Sequence, residues 1–174
     1  AFNLEVARAP WVTKEPMIAE MRLQWWRDVV ENAESGAARA HEVAGPLHDL
    51  IRDFGLPVEV MDRLIAARRW DIHREPHDGV EGLDGYLEDT GAGLMWLAAR
   101  ALGAPDAAEA PARAYGWATA AAMYIRAVPE LEARGRQPLP EGFGPQDLAR
   151  LGLEKLTEAR VSRKAVPKEV APAL

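Results

Sequence analysis

Two kinds of side chain stand at spacings that could do chemistry on a helix: paired carboxylates and a pair of histidines. Asp49 and Asp53 are four residues apart, which puts two carboxylates on one helix face, where a divalent cation could be held. His48 and Arg52 lie beside them on a stretch expected to face solvent, so a hydrated face is the expected reading. Asp84, Glu88 and Asp89 stand at the start of a long helical stretch, where acids offset the helix dipole. Capping is expected of them ahead of metal binding. Glu130 and Glu132 point in different directions. His73 and His77 have a metal-like separation, but Pro76 breaks any regular helix between them. Asp71, in "RRWDI", is placed to pair with Arg22, Arg68 or Arg69. Nucleophilic chemistry has little to work with. There is no cysteine, no Gly-rich phosphate loop and no Ser/His/Asp arrangement that spacing supports.

Arg22 raises a different question. It lies in "MRLQWWRDVV", where Trp25 and Trp26 point about 100° apart on a helix and cannot share one stripe. Met17, Ile18, Met21, Trp25 and Val29 fill one apolar arc, and Ala19, Leu23, Trp26 and Val30 fill a second. Glu20, Gln24, Arg27 and Glu31 form the strip expected to face water. Arg22 falls between the two apolar arcs. A desolvated guanidinium needs a carboxylate, a carbonyl or an anionic ligand. A buried Arg–Asp pair or a snorkelling side chain is the first expectation for it and an anion site the second.

The elements that must position these groups are helices. Apolar and polar residues never alternate over a useful length, and Pro and Gly punctuate helical patterns throughout. A helix is expected from Thr13 and Pro16 to about Glu34, stopping near Gly36. "GPLHDLIRDFGLP" is a short helix ended by Gly55, and "PVEVMDRLIAARRWDI" follows it. "EGLDGYLEDTGAGLMWLAARALG" reads as one long helix closing at Gly103. "APARAYGWATAAAMYIRAV" is an Ala-rich helix interrupted by Pro129. "GPQDLARLGLEKL" starts at Pro145, and the tail "AVPKEVAPAL" is expected to fray. Gly91, Gly93 and Gly116 lie inside helices, where glycine costs up to ~1 kcal/mol against alanine. They need a reason: close helix packing, or room left for a ligand. The 174 residues suffice for one all-α domain with a real core.

Bulk properties narrow the partners. A net charge of −6 gives no basic footprint for nucleic acid. No apolar run reaches the ~18 residues of a membrane span, and no signal peptide is visible. A cytoplasmic location is the expectation, with peripheral contact to the inner membrane as its variant.

The order of three segments resembles the squalene/phytoene synthase family: "LIAARRWDI", "GYLEDTGAGLMWLAARALG" and "GWATAAAMYIRAVPELEARGRQPLP". The third is the most specific. Gly116, Ala118, Arg126, Val128, Gly135, Arg136, Leu139 and Pro140 match, without a gap, a family helix followed by a Gly-Arg-x-x-Leu-Pro turn. The resemblance spans nearly the whole chain and implies the isoprenoid synthase fold, a single-domain helical bundle (residues 1–174) around a central cavity. Family chains normally continue beyond both ends seen here. The family joins two prenyl diphosphates head to head, and aspartates four apart on two facing helices hold the Mg²⁺ that grips diphosphate.

The resemblance also marks departures. Ala127 and Leu131 stand at the second aspartate pair, and Ala120 and Met123 at the family's Gln and Asn. Ala7, Arg8 and Trp11 stand at the acidic positions of the first motif. "FNLEVAR" and "MRLQWWRD" are most similar to a diverged branch that includes the phytoene-synthase-like mitochondrial assembly factor for respiratory complex I. The expectation is a non-catalytic, assembly-type or lipid-binding protein without a cofactor, whose partners are a lipid or prenyl diphosphate in the cavity, or another protein. The alternative is an active prenyltransferase with an altered diphosphate site, using Mg²⁺ and drawing on Arg8, Arg22 and Arg126. Tyr124, Gly91 and Gly93 are further cavity candidates.

Overall fold

A computed structural model describes residues 1–33 and 40–170, and every described element is helical. The helices among the described residues agree with the expected all-α class. The chain divides into two compact units, residues 1–73 and 74–174.

The first unit holds α1 (Phe2–Arg8), α2 (Pro16–Glu31), α3 (Ala44–Phe54), α4 (Val58–Ala67) and α5 (Arg69–Ile72). Pro16 opens α2 at a position where its missing N–H costs nothing. The helix closes at Glu31, short of the expected Glu34; that residue and Gly36 lie outside the described residues. Gly55 closes α3 with φ 58°, and Leu56 N–H then reaches back to the Ile51 carbonyl at 3.1 Å. A side chain at Gly55 would strain that left-handed turn. The stretch after it is two helices, α4 and α5, rather than one.

The amphipathic reading of α2 needs correcting. The second arc holds: Ala19, Leu23, Trp26 and Val30 are buried, and so is Val29. The first arc does not, since Met17, Ile18 and Met21 are exposed. Of the strip expected to face water, Gln24 and Glu31 are exposed, but Glu20 and Arg27 turn toward α5 and α4, against which α2 packs. Arg27 forks onto Asp62 of α4, with Nε and Nη2 on the two carboxylate oxygens at 2.5 and 3.0 Å. Glu20 accepts from Arg69 Nε at 2.9 Å and bonds His73 Nε2 at 3.1 Å. Hydropathy alone cannot distinguish a wet polar strip from one tied to a neighbour by complementary charge.

The second unit holds α6 (Gly79–Leu87), a π-helical turn (Glu88–Ala92), α7 (Gly93–Ala101), α8 (Glu109–Ala133) and α9 (Pro145–Val161). The expected long helix is therefore α6 and α7 joined through the π turn. Such turns insert a residue and re-aim the helix face. α8 packs along α9 and against the π turn and α7. It runs through Pro129 to Ala133 instead of breaking. One backbone hydrogen bond is forgone there, while the last turns still bury Val128 and Leu131. Gly135, with φ 75°, then ends the helix, and Arg136 N–H bonds the Leu131 carbonyl at 3.0 Å. Pro145 starts α9, where the Asp147 carboxylate accepts the Gly144 N–H at 3.0 Å. A 3₁₀ turn at Arg163–Ala165 follows α9; positions 171 to 174 of the tail lie outside the described residues.

Candidate functional site

The positions that the resemblance assigns to the first motif lie at and just beyond the C-terminal end of α1. Ala7 is half-buried, and Arg8 and Trp11 are exposed. Arg22 is exposed on α2 and makes no ion pair with a described residue, so the expected burial between two apolar arcs is not found. The cause is the first arc, whose Met17, Ile18 and Met21 lie open on one side of it. Arg22 instead borders a small pocket of about 210 Å³ with Glu5, Ala9, Trp25, Trp26 and His41. The two tryptophans, which diverge at their backbones, bring their rings together edge to face at 4.8 Å. His41 stacks near both at 5.1 and 5.4 Å, and Phe2 meets Trp26 at 5.6 Å. Aromatic edge-to-face contact holds α1, α2 and the residues before α3 at this corner. Asp71, expected to pair with one of three arginines, is buried on Arg68 at 3.3 Å.

The positions that the resemblance assigns to the second motif lie on α8. Ala127 is half-buried, Leu131 is buried, and Arg126 and Met123 are exposed. Tyr124 is buried and fully engaged. Its hydroxyl donates to the Pro138 carbonyl at 2.9 Å and lies 2.9 Å from His77 Nε2. The single phenolic proton is spent on Pro138, so His77 Nε2–H is the donor in the second bond. Donation from Nε2 suits the neutral Nε2–H tautomer, and burial and the nearby Arg136 charge favour the neutral ring by pushing its pKa down to about 4. Tyr86 packs its ring on both His77 and Tyr124. This network ties α6, α8 and the turn after α8 together. The sequence singles out its Tyr124, Arg136 and His77, the last as a metal-like neighbour of His73, but not their association. Pairing between distant residues leaves no periodic signal.

The small residues make contact rather than room. A Cβ on Gly91 would overlap that of Ala120, and one on Gly116 would lie 2.7 Å from the Gly91 carbonyl oxygen. The π turn and α8 thus touch through their backbones. Gly93 is buried at the start of α7. At Gly91 and Gly116 the space a ligand would need is taken by the chain itself.

The carboxylates read from spacing go to separate tasks. Asp49 and Asp53 are exposed and share Arg52. His48 beside them is buried and bonds the Val29 carbonyl of α2 at 2.7 Å. Asp84 and Glu88 lie past the first turn of a helix that begins at Gly79, so they do not cap it. Asp84 accepts from Trp117 Nε1 at 3.0 Å, and Glu88 pairs with Arg113 at 3.0 Å, both across to α8. Glu130 pairs with Arg134 one turn on at 2.8 Å, and Glu132 is exposed. His73 and His77 have different partners, Glu20 and Tyr124. Burial pushes the Glu20 carboxyl up, but hydrogen bonds and charge from Arg69 and His73 outweigh it and hold it below the usual range. Among the described residues no three His, Cys, Asp or Glu side chains gather so as to hold a metal ion.

Comparison with known proteins places this geometry. Residues 1–171 match the family profile described as squalene/phytoene synthase. NADH dehydrogenase (ubiquinone) complex I, assembly factor 6, of Mus musculus is 26% identical over 196 aligned positions covering 99% of this chain. The Drosophila melanogaster homolog of that factor is 32% identical over 148 positions, covering 80% of this chain and 43% of its own length. The chain spans about three fifths (59%) of the mouse relative. A crystal structure of squalene synthase HpnC from Alicyclobacillus acidocaldarius superposes with a TM-score of 0.73 at 21% identity, over 89% of this chain and 67% of that one. Identity that low shows a shared fold and nothing finer.

Proposed function

The chain belongs to the squalene/phytoene synthase family, and we propose that it is a non-catalytic member acting as an assembly-type protein for a respiratory NADH dehydrogenase. The similarity to complex I assembly factor 6 over 99% of the chain carries this reading. The side chains support it. The family's reaction needs carboxylates to hold Mg²⁺ on diphosphate, and Ala7, Arg8, Trp11, Ala127 and Leu131 have no carboxylate to offer at the corresponding positions. Tyr124 is spent on His77 and Pro138, and Gly91 on packing against α8. The partner in this reading is a protein of the NADH dehydrogenase under assembly. No cofactor takes part. No helix among the described residues is long and apolar enough to cross a membrane, and the proposed place of action is the cytoplasm or the periphery of the inner membrane.

Two experiments test the reading. The full-length protein incubated with farnesyl or geranylgeranyl diphosphate and Mg²⁺ is expected to release no diphosphate and form no squalene- or phytoene-like product. Turnover that Arg22→Ala abolishes would overturn the non-catalytic assignment. Cells lacking the gene are expected to accumulate less assembled NADH dehydrogenase, seen as lower activity in native gels. An unchanged complex would overturn the assembly role.

A further inference from the structure

The geometry points to a binding groove for an anionic phospholipid at the C-terminal end of α9, with basic side chains for the phosphate and an apolar floor for the acyl chain. The groove lies wholly within the second unit and has a volume of about 930 Å³, within the roughly 300–1,000 Å³ of small-molecule sites. Its floor is apolar: Pro111 and Tyr115 of α8, Leu156 and Ala159 of α9, and Val166 beyond it. Arg160, Arg163, Lys164 and Lys168 border it, all exposed.

Charge singles out this groove. The stretch from Arg160 to Lys168 carries four cations and no acid, in a chain whose net charge is −6. Several surface cations elsewhere in the described residues are paired, as Arg52, Arg134, Arg150 and Lys155 are, and those that are not, such as Arg22, stand apart rather than in a run of four. None of the four at the groove forms an ion pair with a described residue. Helix-dipole compensation accounts for Arg160, in the last turn of α9. It does not reach Lys168, which lies beyond the 3₁₀ turn. Unpaired cations beside a half-enclosed apolar trough complement a ligand with one anionic head and a hydrocarbon tail. Val161, 79% exposed at the same edge, adds apolar surface that water solvates poorly. The groove is separate from the α1 and α8 positions of the family's motifs, and the inference stands independently of the catalytic question.

The test is co-sedimentation of the full-length protein with vesicles of phosphatidylcholine alone, or with one third phosphatidylglycerol. Binding is expected only to the anionic vesicles. Each surface cation contributes about fivefold to such partitioning, so the triple variant Arg163→Gln, Lys164→Gln, Lys168→Gln should bind roughly a hundredfold more weakly. Val161→Gln, which leaves the charge unchanged, should weaken binding severalfold, and Arg150→Gln, on α9 away from the groove, should leave it intact. All these side chains are exposed, and unaltered thermal melting checks that the fold survives. Equal binding by the triple variant, or loss in Arg150→Gln, overturns the site. Inorganic phosphate or polyglutamate binding as tightly as the anionic vesicles shows a plain anion site or an acidic protein partner, and overturns the lipid assignment.

Discussion

Replacing Gly116 by alanine tests whether the small residues of α8 serve backbone contact. In an unconstrained helix the change stabilises by up to ~1 kcal/mol. Here the new Cβ would lie 2.5 Å from Met95 Cβ, 2.7 Å from the Gly91 carbonyl oxygen and 3.0 Å from Ala92 Cα. Two of the three neighbours are backbone atoms, which cannot swing aside as a side chain can, so the π turn and α8 must separate. Overpacking of this kind costs typically ~1–3 kcal/mol, and rigid neighbours put it at the upper end. The net expectation is a loss of ~2 kcal/mol, which at ~2–4 °C per kcal/mol lowers the melting midpoint by ~4–8 °C. Gly85→Ala is the control. It lies in α6 with no heavy atom within 4 Å of the new Cβ, and it should raise the midpoint by a few degrees, about what ~1 kcal/mol delivers. Both are read by circular dichroism melting of the full-length protein. A Gly116→Ala variant as stable as Gly85→Ala would refute the contact argument and return the small residues to a cavity role.

The Arg27–Asp62 fork, with both side chains about a quarter to a third exposed, should show a coupling of about 1 kcal/mol in a double-mutant cycle of Arg27→Gln and Asp62→Asn under urea. A coupling indistinguishable from zero would mean that α2 and α4 are held by their apolar contacts alone. His77 gives a pH signature. Its pKa is about 4 folded and 6.5 unfolded, so the unfolded chain takes up a proton first as pH falls. Stability is therefore unaffected by this group above pH 6.5, declines between 6.5 and about 4 by ~3 kcal/mol, and levels off below. His77→Gln should flatten that part of the stability–pH curve relative to the parent protein; parallel curves would show that the buried imidazole is not the titrating group.

The helical class, the approximate course of α3, α8 and α9, and the turns at Gly55 and Gly103 were legible in the sequence. Apolar spacing and glycine placement are local properties, and each carries its own geometric consequence. The family resemblance was legible too, in Gly116, Arg126, Gly135 and Arg136. What each polar side chain faces was not. Glu20 and Arg27 look like a solvated strip until α4 and α5 bring Asp62, Arg69 and His73 against them. Arg22 looks buried because two apolar arcs flank it, yet Met17, Ile18 and Met21 stay exposed. Asp84 and Glu88 look like capping acids until α8 presents Trp117 and Arg113. The glycines left two readings open, and only the approach of the π turn to Gly116 and Ala120 chooses packing. Sequence periodicity specifies direction around a helix axis. What lies in that direction depends on residues far along the chain, and packing alone brings them there.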